Sequence, residues 1–488
     1  MKALFVVPRN KSLFCDKGLT AHTHIGIAYL SAFLKENNVE VRVFDAGLSN
    51  DLAALYALIA KFNPDIIGVT IFSYSYGFAY QIITKIRENS GIPIVAGGPH
   101  VCAIKGAILD DAQVDFAVKQ EGEFTLLELL RALQVKAGDF ADIKGLIWRD
   151  KEGKVIENID RDLIEDLDSL PFPDYDSFGI EKYICYRQKT LPLITSRGCP
   201  FGCNYCSVRL SMGQRFRARS ADNVFSEIRH FYSLGWRNFD INDDCFTLDR
   251  QRAEEICDLI IDNALNIKFQ LYNGIRVDTV NPQLLKKMRR AGCYFISYGC
   301  EAGNSKVIKA IKKGITLEQV RDAVNWTNEA GINNSVNFII GHKEETYADA
   351  LDTIRFARSL PTNFVNFYNL LPYPGTESFE WARQHADFLV PPDSFLEDIS
   401  YRDNNPVFQT KEFSQEQRRQ VIALGFDLYR ERIVKFRLGR FLGGLVYWIT
   451  KAGWIDKLAT NFALNNPLGR RLYIGLSRKS FMTKEELK

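Results

Sequence analysis

The sequence predicts an α/β protein of two units, a doubly wound parallel sheet followed by a partial TIM-type barrel of six strand–helix units, with a helical C-terminal region. Three observations carry this. Apolar strand-like runs alternate with helical patterns about five times in the first third of the chain. The alternation returns after a proline-rich crossing, Leu170-Pro171-Phe172-Pro173-Asp174-Tyr175, and it stops near Pro391, beyond which the pattern is helical. The boundaries that follow are residues 1–140 for the first unit, 141–182 for a linker, 183–390 for the barrel and 391–488 for the C-terminal region.

Composition narrows the class. A chain of 488 residues holds two or three domains, and 46% hydrophobic with 25% charged residues supports a large core rather than disorder. A net charge of +3 makes no case for a nucleic-acid partner. The apolar run at Met1–Pro8 is too short for a signal peptide, and no stretch approaches the roughly 20 apolar residues of a membrane span. Ten cysteines without a secretory signal point to a reducing cytoplasm.

In the first unit, strands are expected at 3–7, 39–44, 65–70, 93–96 and 115–118, and helices at 25–36, 52–62, 79–89, 103–110 and 125–135. A doubly wound sheet binds ligands at the C-terminal ends of its strands. Those ends carry Thr70, Ser73 and Ser75, then Gly97-Gly98-Pro99-His100, then Glu121-Gly122-Glu123. Small hydroxyls and glycines let a bulky ligand approach the backbone, whereas His100 by itself would be an ordinary histidine. A hairpin is expected in the linker, over 144–149 and 155–159.

The barrel opens with an apolar strand at 191–195 and then Cys199-Pro-Phe-Gly-Cys203-Asn-Tyr-Cys206, three thiols in eight residues with Gly198 and Gly202 to let the backbone fold tightly. A structural zinc needs a fourth ligand that is missing nearby, and a disulfide leaves one thiol over. A cubane iron–sulfur cluster takes four cysteines as a rule, so three leave one iron open to a ligand. Three buried thiols with no metal remain the plain alternative. Further strands are expected at 238–241, 268–272, 294–298, 334–340 and 363–370, each preceded by a helix. Their ends carry Asn242-Asp243-Asp244, Arg276, Glu301 with Ser305 to cap the next helix, Gly341-His342-Lys343-Glu344-Glu345, and Leu371-Pro372-Tyr373-Pro374-Gly375. His342 is expected to face the barrel mouth or to sit on a solvated turn; the basic run Lys309–Lys313 reads as a solvated face.

The spacing Cys199-x3-Cys203-x2-Cys206, with Tyr205 before the last cysteine, resembles the radical S-adenosylmethionine (SAM) signature. The order of the first unit resembles the cobalamin-binding domain attached to many radical SAM enzymes, so the resemblance runs from about Leu4 to Glu377. It implies a Rossmann-like cobalamin-binding domain, a partial (β/α)6 barrel and three cofactors: a 4Fe-4S cluster on Cys199, Cys203 and Cys206, SAM on the open iron, and cobalamin. It places Tyr205 near the SAM adenine, Asn242, Asp243 and Asp244 at its amino group, Arg276 at its carboxylate, and Glu301 and Ser305 in the ribose segment. It places Thr70, Ser73, Ser75, Gly97, Gly98, His100, Glu121 and Gly122 around cobalamin. The chain departs from the pattern in three places. No Asp-x-His-x-x-Gly motif supplies a lower axial ligand, which leaves Tyr74, Ser75, Tyr76 or an open face; Lys119-Gln120 precede Glu121; and Gly341-His342-Lys343-Glu344-Glu345 stands where relatives have Gly-Leu-Pro-Gly-Glu.

The implied chemistry is SAM cleavage to a 5′-deoxyadenosyl radical, hydrogen abstraction from an unactivated carbon and methylation of that carbon, with a flavodoxin- or ferredoxin-type reductant. The substrate class is a small molecule or a lipid-like one. An oxidative cyclase using the same cofactors is the nearest rival, and a cluster-bearing sensor the rival from another class. A methylthiotransferase fits less well, because the first unit lacks extra cluster cysteines. The C-terminal region joins a helical run, Ser414–Val434, and an apolar stretch, Phe441–Ile449, to many lysines and arginines. It reads as a cap over the barrel mouth with a basic outer face, or as a peripheral membrane contact.

Overall fold

The computed structural model describes residues 1–9, 23–49, 51–136, 138–397 and 405–450; Cys15 and the basic residues from Lys451 onward lie outside them. In the first unit β1 (Lys2–Val7), β2 (Glu40–Asp45), β3 (Ile66–Thr70), β4 (Ile94–Gly97) and β5 (Phe116–Val118) form a parallel sheet in the order β2-β1-β3-β4-β5. Ala3–Val7 of β1 and Ile66–Thr70 of β3 are buried throughout, as strands covered on both faces must be. The order reverses between β1 and β3, which opens a crevice at their C-terminal ends.

The expected hairpin exists, but it is not linker. β6 (Leu146–Arg149) pairs antiparallel with β5, and β7 (Val155–Glu157) with β6, so the first sheet has seven strands. Burial explains the correction. Leu146, Ile147 and Trp148 are all in the core, and the β5 edge supplies both cover and backbone partners for them. The helix expected at 103–110 is two short ones, Pro99–Ile104 and Ala107–Asp111. Gly98 sits at φ +102°, and a Cβ there would lie 2.8 Å from the Ile71 carbonyl oxygen, so this turn requires glycine.

The second sheet is the six-stranded partial barrel. β8 (Thr190–Leu193), β11 (Asn238–Ile241), β12 (Lys268–Ile275), β13 (Cys293–Glu301), β14 (Asn333–Ile340) and β15 (Phe364–Asn369) are all parallel and neighbour one another in chain order. The strand expected at 191–195 ends early. The chain leaves β8 and makes a small antiparallel pair, β9 (Ser196–Arg197) with β10 (Arg217–Ala218), just before the cysteine loop. β15 would be an open edge. The long helix Gln415–Leu438 covers it, lying so close that a Cβ at Gly425 would meet the Phe367 ring at 2.4 Å.

The C-terminal segment also closes the molecule. Leu370, Leu371, Phe395, Leu396, Val407 and Phe408 form a buried cluster against which Tyr76 of the first unit and Tyr205 of the cysteine loop both pack. The expected cap over the barrel mouth is therefore built partly from this segment, which touches both units. Among the described residues no helix is long and apolar enough to cross a membrane.

Candidate active site

The cysteine loop is pinned from three sides. Gly198 has φ +84°, and a Cβ there would lie 2.3 Å from the Arg215 carbonyl oxygen; Gly202, by contrast, faces open space. Asn204 donates through its side chain to the Ala310 carbonyl at 3.0 Å, and its own carbonyl accepts from the Ser378 amide at 3.0 Å. The Arg276 guanidinium lies over the Phe201 ring at 3.5 Å.

Cys203 is buried, and Cys199 and Cys206 are half-buried. A hydrogen bond from the Cys245 thiol holds Cys199 down to about 6, so it is largely thiolate at neutral pH, while Cys245 is pushed far up. Burial pushes Cys206 up to about 11 and also raises Cys203, against which the charges of Lys313 and Arg276 work. Among the described residues no three His, Cys, Asp or Glu side chains converge on a single-ion site. Three thiols on one pinned loop are soft donors of the kind an iron–sulfur cluster takes.

Around the loop stands a ring of buried charge. Lys313 Nζ donates to Glu301 Oε1 at 2.9 Å and to the Tyr205 hydroxyl at 3.2 Å. Burial alone would depress Lys313, but the charges of Glu301 and Cys203 together with the hydrogen bond to Glu301 outweigh it and hold the ammonium above its ordinary value. Lys313 is thus no solvated face, unlike the exposed Lys309 and Lys312. A Cβ at Gly299 would lie 2.6 Å from Glu301 Oε1, so the pair depends on glycine there.

The other expected SAM contacts divide. Asp243 is committed: it accepts from the Thr195 amide at 2.6 Å and from the Thr195 and Ser196 hydroxyls at 2.5 Å each, tying the end of β11 to the chain that leaves β8. Asp244 accepts from the Gly198 amide at 3.1 Å, and burial lifts its carboxyl to about 6. Asn242 is half-buried and donates to the Asp240 carbonyl at 3.2 Å. The Arg276 fork is filled by Asp278, at 2.9 and 2.8 Å, with a third bond to the Lys313 carbonyl at 2.8 Å. Ser305 is exposed and does not cap its helix: Asn304 does, accepting from the Lys306 amide at 2.9 Å. Ser305 lines a separate shallow depression with Lys306, Arg321 and Asp352.

At the end of β14, His342 is buried, with its ring 5.4 Å from that of Tyr205, so the solvated-turn reading is set aside. Burial, with the charges of Arg418 and Lys313, lowers it to about 3. Glu345 accepts from the Gly341 and His342 amides at 2.5 and 2.9 Å, and burial raises it to about 7. Arg418, from the long C-terminal helix, lies 4.2 Å from the Phe408 ring. Nothing local in the sequence marks Arg418 or Cys245 as neighbours of this site.

The first unit ends in an apolar crevice of about 240 Å³, with Gly97, Gly98 and Gly122 on one wall and Ile194, Arg197 and Met212 of the second unit on the other. His24 caps the helix Ile25–Glu36 through Nδ1, and its Nε2 lies 3.3 Å from Thr70 Oγ1. His100 stacks on Tyr76 and lies 3.2 Å from Ser73 Oγ and 3.3 Å from the Tyr80 hydroxyl. Ser75 bonds within its own turn, to the Phe72 carbonyl at 3.5 Å. Burial lowers both histidines to about 4, so both are neutral. Glu121 points to the domain boundary. It accepts from Arg197 at 2.7 Å, from Arg217 at 2.8 Å and from the Ile164 amide at 2.8 Å, while Arg197 also donates to Glu123 at 2.9 Å. A glycine-walled, apolar slot of this size fits a flat heteroaromatic group such as the benzimidazole of cobalamin.

Comparison with known proteins agrees with this arrangement. Residues 14–130 match the B12 binding domain and residues 193–357 the radical SAM superfamily. An uncharacterized methyltransferase of Pyrococcus horikoshii is 33% identical over 423 residues, 86% of this chain and 90% of that one. The anaerobic magnesium-protoporphyrin IX monomethyl ester cyclase of Rubrivivax gelatinosus is 28% identical, covering 72% of this chain and 65% of its own. The radical SAM methyltransferase TsrM of Kitasatospora setae, solved with cobalamin and a 4Fe-4S cluster, shares the fold at a TM-score of 0.67 and 20% identity, over 78% of this chain and 75% of that one. With pinned thiols beside an apolar strand-end crevice, and with these relatives, the chain belongs to the radical SAM enzymes that carry a cobalamin-binding domain.

Proposed function

We propose that this enzyme methylates an unactivated carbon of a small or lipid-like molecule, with the cluster on Cys199, Cys203 and Cys206 and cobalamin in the crevice between the units. When bound, the cluster, SAM and cobalamin supply the radical and methyl-transfer chemistry. The observation that carries the reading is Arg197. It lines the crevice, holds Glu121 and Glu123 of the first unit, and lies two residues before Cys199, so one side chain joins the wall of one cofactor site to the loop of the other.

The residues divide the remaining work. Cys199, whose thiol the Cys245 hydrogen bond lowers, would ligate one iron as thiolate beside Cys203 and Cys206. Asp244 and the Glu301–Lys313 pair provide both signs of charge for a zwitterionic amino acid head group, and the Tyr205 ring, with the His342 ring tilted against it, an aromatic face for an adenine. Thr70, Ser73, Gly97, Gly98, His100 and Gly122 line or brace the crevice on the cobalamin side, with Ser75 in the adjoining turn. Glu121 also lines the crevice and ties the two units together through Arg197 and Arg217. Phe395, Phe408 and their neighbours exclude water from the mouth. The setting proposed for the enzyme is a reducing, anaerobic cytoplasm with a flavodoxin- or ferredoxin-type electron donor.

The test is anaerobic reconstitution with iron, sulfide and cobalamin, followed by incubation with SAM and a low-potential reductant. One corrinoid per chain, with 5′-deoxyadenosine and S-adenosylhomocysteine formed together, supports methyl transfer. 5′-Deoxyadenosine without S-adenosylhomocysteine moves the assignment to the oxidative chemistry of the cyclase relatives. Neither product under any reductant leaves a sensor.

A further inference from the structure

The C-terminal hairpin turns an apolar face away from the protein. The long helix Gln415–Leu438 runs down the flank of the barrel, from Arg418 beside Gly341 at the mouth to Arg432, which donates to the Leu360 carbonyl at 2.9 Å near the far end of β15. The last described helix, Arg440–Thr450, folds back along it. One face of that helix makes the contact. Gly443 is buried against Lys435, where a Cβ would lie 2.6 Å from the Lys435 Cα, and the Tyr447 hydroxyl donates to Asp427 at 2.7 Å.

The opposite face holds Phe441, Leu445 and Trp448, spaced four and then three residues apart, with Leu442 beside them. They are 97, 56, 75 and 54% exposed. Leu438, at the turn between the helices, is 44% exposed and extends the patch. Scattered exposed apolar residues need no account, but four on one helix face, with the helix already anchored through its other face, mark a surface that something covers.

Charge identifies what covers it. From Arg430 to Lys488 the sequence holds 13 lysines and arginines against 4 acids, a net of +9 in a chain whose total is +3, so the first 429 residues are net acidic. Basic residues on both sides of an exposed aromatic and aliphatic helix face, with a tryptophan on that face, are the pattern of a helix lying in the interface of an anionic bilayer. A second copy of this chain would bring +9 against +9.

We propose that the helix Arg440–Thr450 docks this enzyme on an anionic lipid surface, with Phe441, Leu445 and Trp448 in the acyl boundary and the net positive charge of the C-terminal sequence drawing it there. The contact is independent of the chemistry proposed above and is read without SAM or reductant. The full-length protein is sedimented with phosphatidylcholine vesicles with and without phosphatidylglycerol. Sedimentation with the anionic vesicles, reversed by salt, is expected. Trp448 emission should be quenched by brominated lipid, and that component should vanish in Trp448→Phe. The triple variant Phe441→Ser, Leu445→Ser, Trp448→Ser should stay in the supernatant while still binding corrinoid. The proposal is overturned if the unaltered protein ignores both vesicles, if the triple variant binds as tightly as the parent, or if the parent is a dimer that the triple variant turns into monomers.

Discussion

The end of the first sheet holds two neutral imidazoles, the half-buried His24 and the buried His100; the end of the second buries Lys313, Glu301 and Arg276, with Glu301 paired to Lys313 and the half-buried Asp278 to Arg276. Buried ionisable groups stand at both ends, so burial alone does not decide the outcome. The partner does. The histidines face serine, threonine and tyrosine hydroxyls, which satisfy a neutral ring but do not stabilise a cation. The lysine and arginine face carboxylates across 2.8–2.9 Å. An apolar cofactor face gains nothing from charge, whereas a zwitterionic ligand beside an anionic cluster needs both signs nearby. The two ends meet at Arg197 and Glu121, and each can be perturbed without touching the other.

The largest break comes at the thiols. Cys203→Ser is expected to remove iron and 5′-deoxyadenosine formation altogether while leaving corrinoid binding intact, as read by iron and sulfide analysis beside the corrinoid absorbance. Loss of both cofactors would show that the crevice and the loop fold as one unit. Next is Lys313→Met, which strands Glu301 in the interior and should cost about 3–5 kcal/mol of stability. Adding Glu301→Gln should restore most of it, because the penalty lies in the unpaired charge. Thermal unfolding of the two single variants and the double variant decides this. If the double variant is no better than Lys313→Met, the ammonium packs rather than pairs.

The histidines respond to pH with a definite sign. Each has a folded value near 4 against about 6.5 when unfolded, so the unfolded chain binds more protons between these limits and stability falls as pH drops through them. At about pH 5 each histidine should cost about 2 kcal/mol relative to neutral pH. The raised carboxyls Glu345 and Asp244 act with the opposite sign, gaining stability as pH falls from about 7 and about 6. The whole-protein curve therefore mixes the two ends, and His100→Phe separates them. It should lose less on acidification than the parent, in paired melts at neutral pH and about pH 5. Equal slopes would mean that His100 titrates as it does in water.

Much of this arrangement could be read in the sequence, because periodicity and spacing are local. The five alternations of the first unit, the six strand–helix units of the barrel and the cysteine loop are each written in a few adjacent residues. What escaped is non-local. The hairpin Leu146–Glu157 looks like linker until the β5 edge is placed beside it. Lys313 ends a run of basic residues that is solvated at Lys309 and Lys312, and only the fold turns one of them inward. Arg418 reaches Gly341 from a helix 77 positions further along the chain, and Cys245 reaches Cys199 across two strand ends. Asp243 and Asp244 are adjacent and chemically alike, yet one is consumed by Thr195 and Ser196 while the other accepts from the Gly198 amide of the cysteine loop.

The smallest effect tests the finest of these distinctions. Asn304 and Ser305 are neighbours, both residue types favour helix N-termini, and either could begin the helix after β13. The structure gives the cap to Asn304, whose side-chain oxygen accepts from the Lys306 and Val307 amides at 2.9 and 3.4 Å and whose amide group also donates to Asp352 at 2.9 Å. Ser305 is the first helical residue, exposed to solvent. Asn304→Ala should therefore cost about 1 kcal/mol, the usual value of a cap, whereas Ser305→Ala should fall within about 0.5 kcal/mol of the parent. The helix lies at the end of the strand that carries Glu301, so a loosened first turn should also weaken SAM binding in the Asn304 variant alone. A Ser305 variant that binds SAM more weakly at unchanged stability would return that hydroxyl to the cofactor site.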